Sequence, residues 1–195
     1  MTSTEKPPVF QRRQAFIGTL ESHARNLASG DKYQVQQARS TFALLRRSIS
    51  GQRIEHEAMA LVFEFEPPRD EERTWLTIAG LFALNPQTGA ERLRLGAALR
   101  RLNRKRSQST AQKRLRQLLA ADENALPHQL RSVLQLLAGD DIPVDFRSLL
   151  DDAVTLLHPH RSEESARDVR WRWARDFHRY DENTDTDNAS QEDDE

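Results

Sequence analysis

Residues 126–157 read "LPHQLRSVLQLLAGDDIPVDFRSLLDDAVTLL". Leu130, Val133, Leu134 and Leu137 recur at three- and four-residue steps, which lines one face of an α-helix. Pro127 suits the first turn, where its missing N–H is not needed, and Gly139 closes the helix. Asp145 then stands as an N-cap before Phe146, Leu149, Leu150, Ala153, Leu156 and Leu157, a second helical stripe that "HPH" (158–160) breaks. Two consecutive helices with their own start and stop signals, and no alternating run between them, point to an all-α fold.

The same spacing extends outward in both directions. Upstream, Phe16, Leu20, Ala24 and Leu27 predict a first helix that stops at Ser29-Gly30-Asp31, and residues 1–10 read as a loose leader. Val35, Ala38, Phe42, Leu45 and Ile49 predict a second. Ile54, Ala58, Leu61, Val62 and Phe65 suggest a third, although residues 62–66 alternate well enough for a short strand. Asp70 is placed to cap a helix through "EERTWLTIAGLFAL" (71–84), apolar nearly all round and so central to a core. A helix over 91–104 carries Leu95, Ala98, Leu99 and Leu102. After "SQST" (107–110) comes one with Leu115, Leu118 and Leu119. Downstream, Ser162, Glu163 and Glu164 open a last helix with Ala166, Val169, Trp173 and Phe177 inside.

About nine helices result, read as two small bundles (11–104 and 105–180) joined by a hinge near 103–110. The segment 181–195 has almost nothing to bury and is expected to be disordered. With no cysteine, no apolar run of membrane-spanning length and no signal segment before Phe16, a cytoplasmic protein without disulfides is expected.

Charge is strongly partitioned. Asp181–Glu195 holds eight acids and no base, which leaves 29 bases against 22 acids in the remaining 180 residues, a net of +7. Arg92–Ala121 holds ten bases and no acid. On a helical wheel Arg100, Arg101 and Arg104 oppose the leucine face of their helix, as Lys113, Arg114 and Arg116 oppose theirs. A solvated face normally mixes signs to gain i,i+4 pairs, and an acid-free stretch forgoes them. This favours a polyanion-binding surface over a merely solvated one. The preference for arginine, 25 against four lysines, fits bidentate phosphate binding and fits a GC-rich genome equally.

In the last helix Arg172, Arg175 and Arg179 project away from Trp173 and Phe177. Trp171 lies on that outer side, one turn from Arg167 and Arg175. It would stack on a base there, but packing against a neighbouring helix or subunit is the preferred expectation. No Gly-rich phosphate loop, no His-x-Glu with a cysteine pair and no nuclease-type acid–lysine spacing occurs. His158 and His160 near Glu163 and Glu164 make a poor metal site, and Asp140-Asp141 and Asp151-Asp152 read as cap and surface charges. Neither catalysis, nor a cofactor, nor a bound metal is expected.

The blocks "LFALNP" (81–86), "LGAALRRL" (95–102), "LPHQLRSVLQLLAGDDIPVDFRSLLDD" (126–152) and "RWRWARDFHR" (170–179), with "ALLRRSI" (43–49), resemble the CasB family over roughly residues 14–180. That family is the small subunit of the type I-E CRISPR surveillance complex, Cascade. The resemblance implies a non-catalytic, two-domain helical subunit in antiviral defence. It would assemble with a second copy of itself beside the backbone and large subunits. Its basic surfaces would support the displaced DNA strand and hold the guide RNA–target heteroduplex. Carried over by position, Arg46 and Arg47 match one Arg-Arg block, Arg100 and Arg101 another, Arg131 the basic position in "LR", and Arg172 and Arg175 those of "RRWAR". Arg104, Lys105, Arg106, Lys113, Arg114 and Arg116 enter on charge alone. Trp173 and Phe177 match family positions too, but periodicity makes them core. Phe146 stands where the family has tryptophan, "TLLHPH" (155–160) lacks one, and the acidic segment has no counterpart. A helix-turn-helix regulator, with 110–121 and 127–138 as its helix pair, is the competing reading, and a metal-dependent nuclease a more distant third.

Overall fold

The computed structural model describes residues 6–49, 56–86, 91–106 and 108–179. Among these residues there are nine helices and no strand: α1 (Val9–Asn26), α2 (Lys32–Ser48), α3 (His56–Phe63), α4 (Glu72–Leu84), α5 (Leu95–Lys105), α6 (Gln108–Ala120), α7 (Leu126–Gly139), α8 (Phe146–Leu157) and α9 (Glu163–His178). The ambiguous third segment is a helix. It ends at Phe63, the chain turns through a positive φ of 47° at Glu66, and Phe65 packs edge-on against Phe16 with ring centroids 5.4 Å apart. Ile54, Ser107 and the acidic segment 181–195 lie outside the described residues. Helix α1 begins at Val9, inside the expected leader.

Helix α4 sits centrally, touching α2, α3, α7 and α8, and eight of its thirteen residues are buried. Its start departs from the sequence expectation. Glu71, not Asp70, occupies the N-cap position, and Asp70 instead meets Nε2 of His158 at 2.7 Å. Glu71 is 93% buried because it accepts from Nε and Nη2 of Arg13, at 3.1 and 2.6 Å, and from the Trp75 indole N–H at 2.9 Å. Arg13 also donates to Asp151 at 2.9 Å, so one guanidinium ties α1 to α4 and α8. Asp145 and Ser162 do cap α8 and α9 through their side chains, as their sequences require.

Two close helix crossings depend on glycine. A Cβ at Gly80 would lie 2.2 Å from Cγ2 of Ile49 and 2.9 Å from the Leu45 carbonyl oxygen, so α4 approaches α2 as it does only without a side chain there. At Gly96 it would lie 2.2 Å from the Trp173 carbonyl oxygen, where α5 meets α9. The buried apolar residues of all nine helices form one connected core. Within it Phe42, Phe82 and Phe146 run in series, with Phe146 meeting Phe82 edge to face at 4.8 Å. Helices α1–α4 pack among themselves, as do α5–α9, and α4 and α1 carry the contacts between the two groups. Helix α5, which the sequence reading places with the first bundle, packs on α9, α6 and α7. Within the expected hinge, α5 runs to Lys105 and α6 begins at Gln108.

Candidate nucleic-acid interface

The acid-free stretch forms α5 and α6, and in each helix the leucines turn inward. Leu95, Ala98, Leu99 and Leu102 of α5 and Ala111, Leu115 and Leu118 of α6 are at least 97% buried, which forces the intervening cations to the outer surface. Some of those cations are held by other parts of the protein. Nη1 of Arg100 donates to the Arg179 carbonyl at 2.8 Å, and Arg101 forms an ion pair with Glu91. Lys105 donates to the Asp140 carbonyl at 2.8 Å and Arg106 pairs with the Asp140 carboxylate at 2.7 Å, so the end of α5 clamps the turn after α7. These contacts answer, in three dimensions, the missing acids of the linear sequence. The partners come from outside the stretch.

Lys113 and Arg116 are different. Both are exposed on the outer face of α6, and neither forms an ion pair with any described residue. Arg114 is half-buried and donates to Gln117 at 3.1 Å. Arg104 is exposed at the end of α5.

The remaining predicted cations divide in the same way. Arg46 is exposed but donates to the Ala83 carbonyl at 3.2 Å, and Arg47 is exposed beside it. Arg131 donates to the Ile49 carbonyl at 3.2 Å, stitching α7 to the end of α2. Arg172 does not project outward: it binds Asp152, which also accepts from the Trp173 indole at 2.6 Å. Asp152 is therefore a buried anchor between α8 and α9, not a surface or capping charge. Burial pushes its carboxyl above the ordinary carboxylate range, against the opposing pull of the Trp173 and Arg172 hydrogen bonds. Arg175 is exposed, with no ion-pair partner among the described residues.

A second acid-free run escaped the sequence reading. Residues 32–54 contain five bases and no acid. Its helix, α2, exposes Lys32 and Arg39 along with Arg46 and Arg47. The signal was the same as in 92–121 but weaker in density.

Helix α7 makes a poor recognition helix. It packs on α4, α5 and α6, only His128, Gln135 and Gly139 of its fourteen residues are exposed, and Arg131 is engaged. Among the described residues no three His, Cys, Asp or Glu side chains stand together in metal-binding geometry, and no helix is long and apolar enough to cross a membrane.

The comparisons with known proteins agree with one another. The solved structure of CasB from Thermobifida fusca superposes with a TM-score of 0.61 at 25% identity, over 84% of this chain and 98% of that one. CasB from M. ruber does so at 0.61 and 26%, over 85% and 91%. CasB from Thermus thermophilus does so at 0.59 and 27%, over 82% and 96%. A chain of a CRISPR RNA-guided surveillance complex shares the fold, with a TM-score of 0.64 at 20% identity over 87% and 92%. No curated protein matches by sequence. Residues 41–178, from within α2 to the end of α9, match the family model of CRISPR-associated protein Cse2, and the chain belongs to that Cse2/CasB family.

Proposed function

We propose that the chain is the non-catalytic small subunit of a type I-E CRISPR surveillance complex, where it binds nucleic-acid backbones and stabilises the R-loop. Its partners are the backbone and large subunits, a second copy of itself, the guide RNA, and the target and displaced DNA strands. The observation that carries this reading is the outer face of α6, where Lys113 and Arg116 stand exposed and unpaired among the described residues, inside thirty residues without an acid. R-loop formation exchanges base pairs of nearly equal stability, so protein contacts to phosphates tip its balance. Such contacts need cations that the fold itself does not consume. Lys113, Arg116 and Arg175 meet that condition among the described residues. Arg100, Arg101, Lys105, Arg106, Arg131 and Arg172 chiefly hold the subunit together.

In the assembled complex, Lys113→Ala with Arg116→Ala is expected to leave helicity and incorporation unchanged and to shorten R-loop lifetime. A normal lifetime with the variant incorporated overturns the assignment. The isolated chain should bind single-stranded DNA weakly and without sequence preference. About 4–6 phosphate contacts give a log–log salt slope near −3 to −4.

A further inference from the structure

Of the three tryptophans, Trp75 and Trp173 are buried and Trp171 is 64% exposed. Of the expected packing of Trp171 against a neighbouring helix or subunit, the first is not found among the described residues. Helix α9 buries Ala166, Val169, Trp173 and Phe177, and the wheel position of Trp171 points almost directly away from that stripe. Arg167 and Arg175 lie one turn to either side, about 6 Å along the axis in each direction. Both are exposed and form no ion pair with the described residues. The other exposed side chains of α9 on this face are Glu164, Asp168 and His178, and its apolar residue within a turn of the ring, Ala174, is small and half-buried, so among the described residues of α9 the indole has little with which to form the dry centre of a protein–protein contact. At the C-terminal end of the helix, the Arg179 carbonyl accepts from Arg100, which joins this face to the acid-free surface of α5.

We propose that Trp171, flanked by Arg167 and Arg175, is a stacking platform for an unpaired base of a single-stranded nucleic acid. The proposal rests on the nucleic-acid-binding reading above and adds to it a site for bases as distinct from phosphates. A flat indole meets a base face to face only when that face is uncovered, as in a single strand and not within a duplex. The two guanidinium groups fix the backbone on either side of the stacked nucleotide, each as a partner for phosphate. Asp168 and Glu164 toward the N-terminal end of the face repel phosphate, so the strand leaves toward Arg175 and α5.

The buried positions of Trp75 and Trp173 make Trp171 the fluorophore that an aqueous quencher reaches. The experiment titrates the full chain at low salt with oligothymidylate, with an abasic strand of equal length and with a duplex, following both affinity and tryptophan emission. Oligothymidylate should quench the accessible emission and bind more tightly than the abasic strand. Trp171→Ala should weaken its binding by about 5- to 150-fold and abolish the difference between the two strands. Trp171→Phe, which keeps a ring, should restore much of the loss, and duplex binding should not respond to either change. Equal affinity of the wild-type chain for base-bearing and abasic strands, unchanged in Trp171→Ala, overturns the platform and leaves phosphate binding standing. Absence of binding to every strand overturns the nucleic-acid reading and the platform with it. Loss of assembly with the other subunits in Trp171→Ala, with strand affinity intact, overturns the platform in favour of a protein contact.

Discussion

Asp152 shows how one side chain decides the seating of a helix. Its carboxylate receives the Trp173 indole N–H and the Arg172 guanidinium while 94% buried, so its removal strands a donor and a cation at the α8–α9 contact. Asp152→Ala is expected to lower unfolding free energy by about 1–3 kcal/mol, and Asp152→Asn, which keeps an acceptor for the indole, by less. The raised position of this carboxyl sets the sign of a pH effect. The native state holds the proton more tightly than the unfolded state. The stabilisation from this group is therefore complete below the ordinary value of 3.8 and lost as pH rises through the raised one. Denaturant midpoints of wild type and Asp152→Asn, compared from pH 4 to 8, should shift relative to one another in favour of the asparagine variant as pH rises. Periodicity alone places Trp173 and Phe177 inside. The same sequence does not reveal Asp152 as the anchor of Trp173, nor the tie from Arg13 to Glu71 and Asp151, because those partners stand 21, 58 and 138 residues apart. Such pairs follow from helix docking, which local spacing does not encode.

Between elements, glycine separates two kinds of helix position. Gly18 lies within α1, where an added Cβ meets nothing nearer than Nη2 of Arg147 at 4.0 Å. Gly18→Ala is expected to raise unfolding free energy by about 0.5–1 kcal/mol, because alanine has less backbone freedom to lose on folding. Gly96→Ala should act in the opposite direction, by about 1–3 kcal/mol or more, since the new methyl runs into the Trp173 backbone and forces α5 and α9 apart. Chemical denaturation of the two variants checks both signs, and an equal response would contradict the crossing geometry. Helix starts with side-chain caps were legible at Asp145 and Ser162. Asp70 misled because its neighbour Glu71 was drawn into a buried cluster and Asp70 was left to meet His158. That α5 packs on α9, and not chiefly on the helix before it, also depends on a long-range contact that the leucine stripe alone does not specify.

Across the whole molecule, charge patterning located the candidate surface without separating structural cations from available ones. A linear count assigns ten bases of 92–121 to one surface, whereas in three dimensions Glu91, Asp140 and main-chain carbonyls hold several of them. The eight acids of 181–195 follow closely on α9 in sequence, and we propose that they screen the cations of the body. Deleting 181–195 is expected to tighten binding of the isolated subunit to random single strands at low salt, with the gain fading as salt rises, because the competition is electrostatic. Equal affinities at low salt would remove any role for this segment in screening. The α5–α9 crossing also has a consequence during synthesis. The 73 residues between the last residue of α5 and the last of α9 take about 4–15 s to translate, and for that time the leucine face of α5 lacks one of the three helices that pack on it. Pulse proteolysis of nascent chains should find α5 cleavable until α9 has been made. A message cut short before α9 then yields a chain whose α5 leucine face is left partly open, a substrate for quality-control proteases, so that folding itself checks that translation has reached α9.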